Sequence, residues 1–182
     1  MHNLVELSVI CPDVLLDILY ATENNFVKKV VYPFSACYLQ KKAAQRLRRV
    51  QRALKKRSLG LKVYDGYRPL SVQKILWEAV PDPRYVADPA EGSKHNRGSA
   101  VDLTLVDREG KELLMPSLFD DLSDRAHRDY RGASREAREN SQMLEEAMVK
   151  EGFIPLPTEW WHFDDLEWEK YPILDIPFEE LR

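Results

Sequence analysis

The sequence predicts an α+β fold in a single domain over residues 1–182, on three observations. The chain has 182 residues and is 44% hydrophobic, a size at which one core buries about 70% of the unfolded surface. Three segments carry apolar residues at helical spacing and are separated by short runs at strand spacing. No repeat, low-complexity tract or Gly/Ser linker divides the chain.

Residues 36–58 place Leu39, Ala43, Leu47, Val50 and Leu54 at offsets of four, four, three and four. Lys and Arg cover the rest, so an amphipathic helix ending near Gly60 is predicted. Residues 61–64 follow as a short strand. Asp65, Gly66 and Pro69 then mark a turn before a helix that buries Val72, Ile75, Leu76 and Ala79. Residues 81–92, rich in Pro and Asp, read as loop. In residues 100–106, Val101, Leu103 and Leu105 share one strand face while Ala100, Asp102 and Thr104 share the other, so Asp102 points away from the apolar set. A third helix is predicted over 134–151, capped by Ser134, with Ala137, Leu144, Ala147 and Met148 inward and Gly152 at its end. Pro155 and Pro157 prevent a regular helix, and residues 160–163 read as a strand.

Composition excludes several classes of function. Twenty-seven basic residues against 30 acidic ones give a net charge of −3, the opposite of the balance expected for a nucleic-acid binder. The longest uncharged run, residues 30–40, is interrupted by Pro33 and falls short of the roughly 20 residues of a membrane span. Glu6, Asp13 and Asp17 near the start, without a basic patch before an apolar run, do not form a secretory signal, so a cytoplasmic protein is expected. Cys11 and Cys37 are too few for a disulfide scaffold and read as reduced, partly buried thiols.

The chemistry lies in two stretches. His95 sits in the Gly-punctuated loop Gly92-Ser93-Lys94-His95-Asn96-Arg97-Gly98, and Gly98 lets the backbone fold back so that His95 and Asp102 converge. His162 lies in Thr158-Glu159-Trp160-Trp161-His162. Two imidazoles and one carboxylate suit zinc with an open fourth position. Taken singly, each histidine reads as a packed, hydrogen-bonded core residue before it reads as a ligand. Glu159 adds a base that can take a proton from an activated water. Because residues three apart face opposite sides of a strand, Glu159 must reach the site from a bend at Pro157. Arg68, in Asp65-Gly66-Tyr67-Arg68-Pro69, reads alone as a solvated ion pair, but beside a hydrolytic metal it is a fixed charge for an oxyanion. His127 reads as a surface or supporting residue, His2 as part of an unordered terminus, and Trp160 and Trp161 as wall and core.

The pattern Ser93-x-His95-x-x-Gly98-x-Ala100-x-Asp102 followed by Glu159-x-Trp161-His162 resembles the zinc D-alanyl-D-alanine peptidases. Within them it resembles the D-Ala-D-Ala dipeptidases associated with vancomycin resistance and D-Ala-D-Ala catabolism. Tyr20-Ala21-Thr22, Asn25-Phe26, Phe119-Asp120 and Asp124-Arg125-Ala126-His127 extend the likeness over residues 14–172. The resemblance implies a small, mostly antiparallel sheet flanked by helices, as in the hedgehog and D-Ala-D-Ala peptidase fold. It implies one zinc per chain on His95, Asp102 and His162, with Glu159 as catalytic base and Arg68 stabilising the tetrahedral intermediate. Asp120 and Tyr20 would hold the substrate ammonium, with Ser93 lining the pocket; Asp120 is taken over Asp121 because the family's aspartate follows the phenylalanine. The stretch between Trp77 and Gly92 is shorter than the family's and bears on the pocket rim.

The reading is a zinc dipeptidase acting on a small zwitterionic dipeptide, D-Ala-D-Ala, with neither nucleic acid nor membrane as partner and a homo-oligomer open. Three rivals remain. One is a peptidoglycan D-Ala carboxypeptidase on the same zinc framework, another a non-haem iron oxygenase with the same ligand types, and the third a metal-stabilised binding module without turnover.

Overall fold

The computed structural model describes residues 3–181, so His2 lies outside the described residues. The chain opens with β1 (Leu4–Glu6), the one-turn α1 (Leu7–Ile10) and β2 (Leu15–Leu16), then reaches β3 (Tyr38–Gln40), α2 (Lys41–Lys55), β4 (Leu59–Asp65) and α3 (Leu70–Ala79). β5 (Ala100–Asp107), α4 (Arg135–Lys150), β6 (Phe153–Pro155) and β7 (His162–Asp165) complete it. The main sheet has the order β2-β4-β5-β7-β6. Every pair in it is antiparallel except β2 with β4, in accord with the expected small, mostly antiparallel sheet, while β1 and β3 form a separate antiparallel pair.

β5 is the centre of the sheet, with residues 100–106 buried on both faces. Val101, Leu103 and Leu105 join a core that includes Leu47, Val50 and Leu54 of α2 and Leu144 and Met148 of α4. The opposite face carries Asp102 and Thr104, also buried. Ser134 caps α4 by accepting from Ala137 N–H, and Gly152 ends it with φ +90°, as expected from an αL terminus.

Several details differ from expectation. The first long helix begins at Lys41, because Tyr38–Gln40 pair with β1 and Gln40 N–H donates to Gly98 O; Leu39 fits either period. That helix stops at Lys55, and after Ser58, with φ +58°, β4 begins at Leu59, so Gly60 is a strand residue opposite Val106. Ile75 is 40% exposed, and Gln73 is buried in α3 because it bonds Arg68 and Ala87 O. Trp160 and Trp161 lie in a turn, and the last strand starts at His162.

Register builds the site. Asp102 of β5 stands directly opposite His162 of β7, and residues paired across a sheet project from the same face. Asp65 at the end of β4 also comes opposite Asp102, through an irregularity between Val63 and Asp65. Three chemically committed side chains therefore share the polar face of one sheet.

Candidate active site

His95 completes this group from outside the sheet. It opens a 3₁₀ turn (His95–Arg97) that is closed by Gly98 in the left-handed conformation, φ +65°. A Cβ at Gly98 would run into the Leu4 side chain. The ring Nδ1 of His95 lies 2.7 Å from Gly66 O. A carbonyl can only accept, so Nδ1 carries the proton and the Nε2 lone pair faces inward. That atom is 3.2 Å from His162 Nδ1 and 3.3 Å from Asp102 Oδ2. His162 Nδ1 is 2.9 Å from Asp102 Oδ1, and its Nε2 lies 2.9 Å from Asp164 Oδ1.

The three residues can offer one donor atom each, all within 4.8 Å of one another, and all three are buried. Zinc–ligand bonds of 2.0–2.1 Å at tetrahedral angles put neighbouring donors about 3.3 Å apart. The two imidazole nitrogens stand 3.2 Å apart, close to that spacing, each lies beside a different Asp102 oxygen, at 3.3 and 2.9 Å, and the donor types fit zinc. Asp164 and Gly66 O supply the outer hydrogen bonds that orient a ligating imidazole. Without an ion, burial opposes charge on His162, but its hydrogen bonds to the carboxylates of Asp102 and Asp164 outweigh it and push its pKa up to about 10. Burial likewise opposes ionisation of Asp102, yet His95 and His162 hold it below the usual carboxylate range.

Glu159 lies in the turn before β7 and not on a strand. Its N–H reaches Leu156 O, and its own carbonyl accepts from His162 N–H at 3.3 Å. That turn brings Glu159 Oε2 to 3.7 Å from His162 Nδ1, which resolves the strand-face difficulty. Burial pushes its pKa up to about 7, with His162 pulling it down and Asp102 pushing it up. A carboxyl poised near neutrality can both take and return a proton.

Arg68 is not the solvated ion pair of a surface turn. Its Nε and Nη2 donate to Asp65 Oδ2 at 3.1 and 2.6 Å, and Nη1 donates to Gln73 Oε1 at 2.9 Å. Asp65 Oδ1 in turn accepts from Tyr32 Oη at 2.7 Å and from Gly66 N–H. The guanidinium lies 5.3 Å from the Tyr20 ring centre. Burial disfavours its charge, but Asp65 more than offsets this, so it stays protonated.

Tyr20 Oη donates to Asp120 Oδ2 at 3.0 Å, although the two are a hundred residues apart. Asp120 has φ +57°, a strained backbone for a non-glycine residue and one often found where a side chain is aimed at a ligand. Burial, then the charge of Asp102, raises its pKa well above the usual range. Asp121 pairs instead with Arg125. Ser93 Oγ accepts from His95 N–H at 3.2 Å. Tyr20, Arg68, Ser93, His95, Asp102, Asp120, Glu159 and His162 all border one cleft of about 450 Å³, whose rim includes Tyr85 and Ala87 of the 81–92 loop.

Every residue singled out for the site from sequence thus reaches the same cleft. His127 stays outside the cluster, 3.9 Å from Asp124. Trp160 is core, with Nε1 donating to Ser117 Oγ, and Trp161 is both core and cleft wall. Sequence reasoning missed Asp164, Gln73 and Tyr32. Asp164 had a readable signal, being two residues beyond His162 and so on its strand face; Gln73 and Tyr32 had none.

Three donors able to hold a metal ion meet at the floor of an open cleft beside a buried carboxyl, and the class is that of a metallopeptidase. The family model described as D-Ala-D-Ala dipeptidase, Peptidase_M15, matches residues 1–177, and the chain belongs to this family. It is 39% identical over 176 residues to the D-alanyl-D-alanine dipeptidase of Escherichia coli strain K12, covering 97% of this chain and 91% of that protein. It is 32% identical over 177 residues to the D-alanyl-D-alanine dipeptidase of Enterococcus faecalis, covering 86% and 87%. Among solved structures, the LdcB LD-carboxypeptidase shares the fold, with a TM-score of 0.53 at 22% identity over 98% of this chain and 76% of that one. Among the described residues no helix is long and apolar enough to cross a membrane.

Proposed function

We propose that this protein hydrolyses free D-alanyl-D-alanine to two D-alanines, using one zinc ion per chain held by His95, Asp102 and His162. The observation that carries the reading is the convergence of those three buried residues, one donor atom each within 4.8 Å of the others, with Glu159 beside them in a cleft. When bound, zinc supplies a Lewis acid that acidifies water and polarises a carbonyl.

Glu159 takes the proton of the attacking water and passes it to the leaving amine, two transfers suited to a buried carboxyl. Arg68, immobilised by Asp65 and Gln73, presents fixed positive charge to the oxygen on which negative charge develops, and this preorganisation makes it effective. Asp120 and Tyr20 receive the substrate ammonium: a buried carboxylate whose ionisation is disfavoured gains most when a cation pairs with it. A blocked amine leaves that carboxylate unmatched, so longer and acylated peptides are rejected. Ser93 holds the His95 loop and lines the pocket. The chain works in the cytoplasm on this reading, where Cys11 and Cys37, both buried and free, stay reduced.

A chiral dipeptide panel, free and amino-blocked, assayed with and without a chelator, tests the reading. Chelator-sensitive cleavage confined to free D,D-dipeptides is expected. Equal rates on acetylated dipeptide or on a pentapeptide contradict the ammonium subsite, and activity that survives exhaustive chelation contradicts the metal.

A further inference from the structure

The turn that carries Glu159 is weakly held by its own backbone. Pro155 and Pro157 contribute no N–H. The bonds within it are long: 3.2 Å from Leu156 N to His162 O, 3.3 Å from Glu159 N to Leu156 O, and 3.3 Å from His162 N to Glu159 O. Behind this turn stands Arg128. Its Nε donates to Leu156 O at 2.8 Å and its Nη2 donates to His162 O at 2.9 Å. Leu156 and His162 are three residues before and three after Glu159, so one planar guanidinium ties both feet of the loop whose crown is the proposed base. Arg128 N–H also donates to Pro157 O at 3.0 Å, and the preceding Ala126 O accepts from Trp160 N–H at 2.9 Å.

The bracket is itself anchored. Arg128 Nη1 pairs with Glu145 Oε2 of α4 at 3.1 Å, the guanidinium lies 4.5 Å from the Phe163 ring centre, and the side chain is 11% exposed. Burying a cation there is costly, and burial pulls its pKa down to about 10. Arginine provides five donors in a rigid plane, so the distance between the two bonded carbonyls is fixed by covalent geometry. Lysine offers one rotating ammonium and cannot hold both carbonyls in one plane.

We infer that Arg128 is a positioning residue for catalysis: it sets the span of the 156–162 turn and thereby the placement of Glu159 relative to His162. It touches neither substrate nor the reacting atoms. The inference rests on the proposed dipeptidase reading, in which Glu159 is the base. Misplacing a catalytic group by about 1 Å costs on the order of 100-fold, whereas Tyr20 and Asp120 of the ammonium subsite hold each other and not Arg128, so substrate binding should change little.

The test uses the intact zinc-loaded protein with Arg128→Met and Arg128→Lys. For Arg128→Met, kcat on D-Ala-D-Ala falls roughly 10- to 100-fold, in keeping with that sensitivity to placement, while KM stays within about twofold and zinc remains at one per chain. Arg128→Lys recovers part of the loss, and added methylguanidinium partly rescues an Arg128→Ala protein. An unchanged kcat in Arg128→Met overturns the inference, as does loss of zinc in a folded variant, which would make Arg128 a support of the metal site. Should Arg128→Met fail to fold, Arg128→Lys decides: a lowered kcat at constant KM supports the bracket and the native kcat refutes it. An unmodified protein inert on D-Ala-D-Ala sinks the dipeptidase reading itself, whereas an active one with indifferent Arg128 variants sinks only this inference.

Discussion

The floor and the rim of the cleft are built in different ways. The floor is made by strand register: Asp102 opposite His162, Asp65 alongside, and His95 folded over them by one left-handed glycine. Several of these side chains have a further partner that fixes them: Gly66 O for His95, Asp164 for His162, and Asp65 with Gln73 for the neighbouring Arg68. The rim is made by irregular chain: Tyr20 from a 3₁₀ turn, Asp120 from a strained loop position, and Tyr85 and Ala87 from the 81–92 segment. Tyr20 and Asp120 chiefly hold each other. On the proposed reading, the metal donors are set mainly by strand register, and choice of substrate is left to loops.

If that division is right, substitutions in the floor act on metal affinity or kcat and those in the rim act on KM and selectivity. The largest effect expected from the oxyanion side is Arg68→Lys, which loses the pair of hydrogen bonds to Asp65 and should lower kcat by about 100-fold with little change in KM, as steady-state kinetics on D-Ala-D-Ala will show. Next is Asp164→Asn, which leaves all three donors in place but weakens the orientation of His162; competition with a chelating dye should show zinc affinity reduced roughly 10- to 100-fold. At the rim, Tyr20→Phe should raise KM about tenfold at nearly constant kcat, the cost of one hydrogen bond to a charged group. The comparison breaks if Tyr20→Phe lowers kcat as far as Arg68→Lys does.

A pH effect sharpens it further. In the metal-free protein His162 stays protonated up to about 10, and zinc requires the neutral ring, so binding expels a proton. Apparent zinc affinity should therefore rise about tenfold per pH unit across neutrality and fall as the medium is acidified, with calorimetry in buffers of different ionisation enthalpy counting about one proton released. The smallest effect is structural: Gly98→Ala, which places a Cβ against Leu4 at φ +65°, should cost about 1–3 kcal/mol in urea unfolding.

The same contrast explains what could be read before the structure. The floor was legible because its residues cluster in two short stretches, and alternation in residues 100–106 already put Asp102 on the face away from Val101, Leu103 and Leu105. Element edges were not: Leu39 satisfies both a helical and a strand period, and only pairing with β1 decides for strand. Ile75 was expected inside on periodicity alone, but α3 buries Gln73 because Arg68 needs a partner, and no local pattern announces a tertiary hydrogen bond. Asp65 appeared only as a turn residue, whereas the bulge in β4 makes it the anchor of Arg68. Tyr20 and Asp120 were connected by resemblance and not by spacing, since their hydrogen bond spans a hundred residues.

On the proposed reading, His95, Asp102 and His162 hold a zinc ion beside a glutamate that moves the proton. Measuring zinc content and D-Ala-D-Ala turnover side by side in the native protein and in Glu159→Gln tests it most directly. One zinc per chain in both, with kcat in the variant lower by about 10²- to 10⁴-fold, is the predicted result. A native protein that takes up no zinc, or a variant that turns over at the native rate, contradicts it.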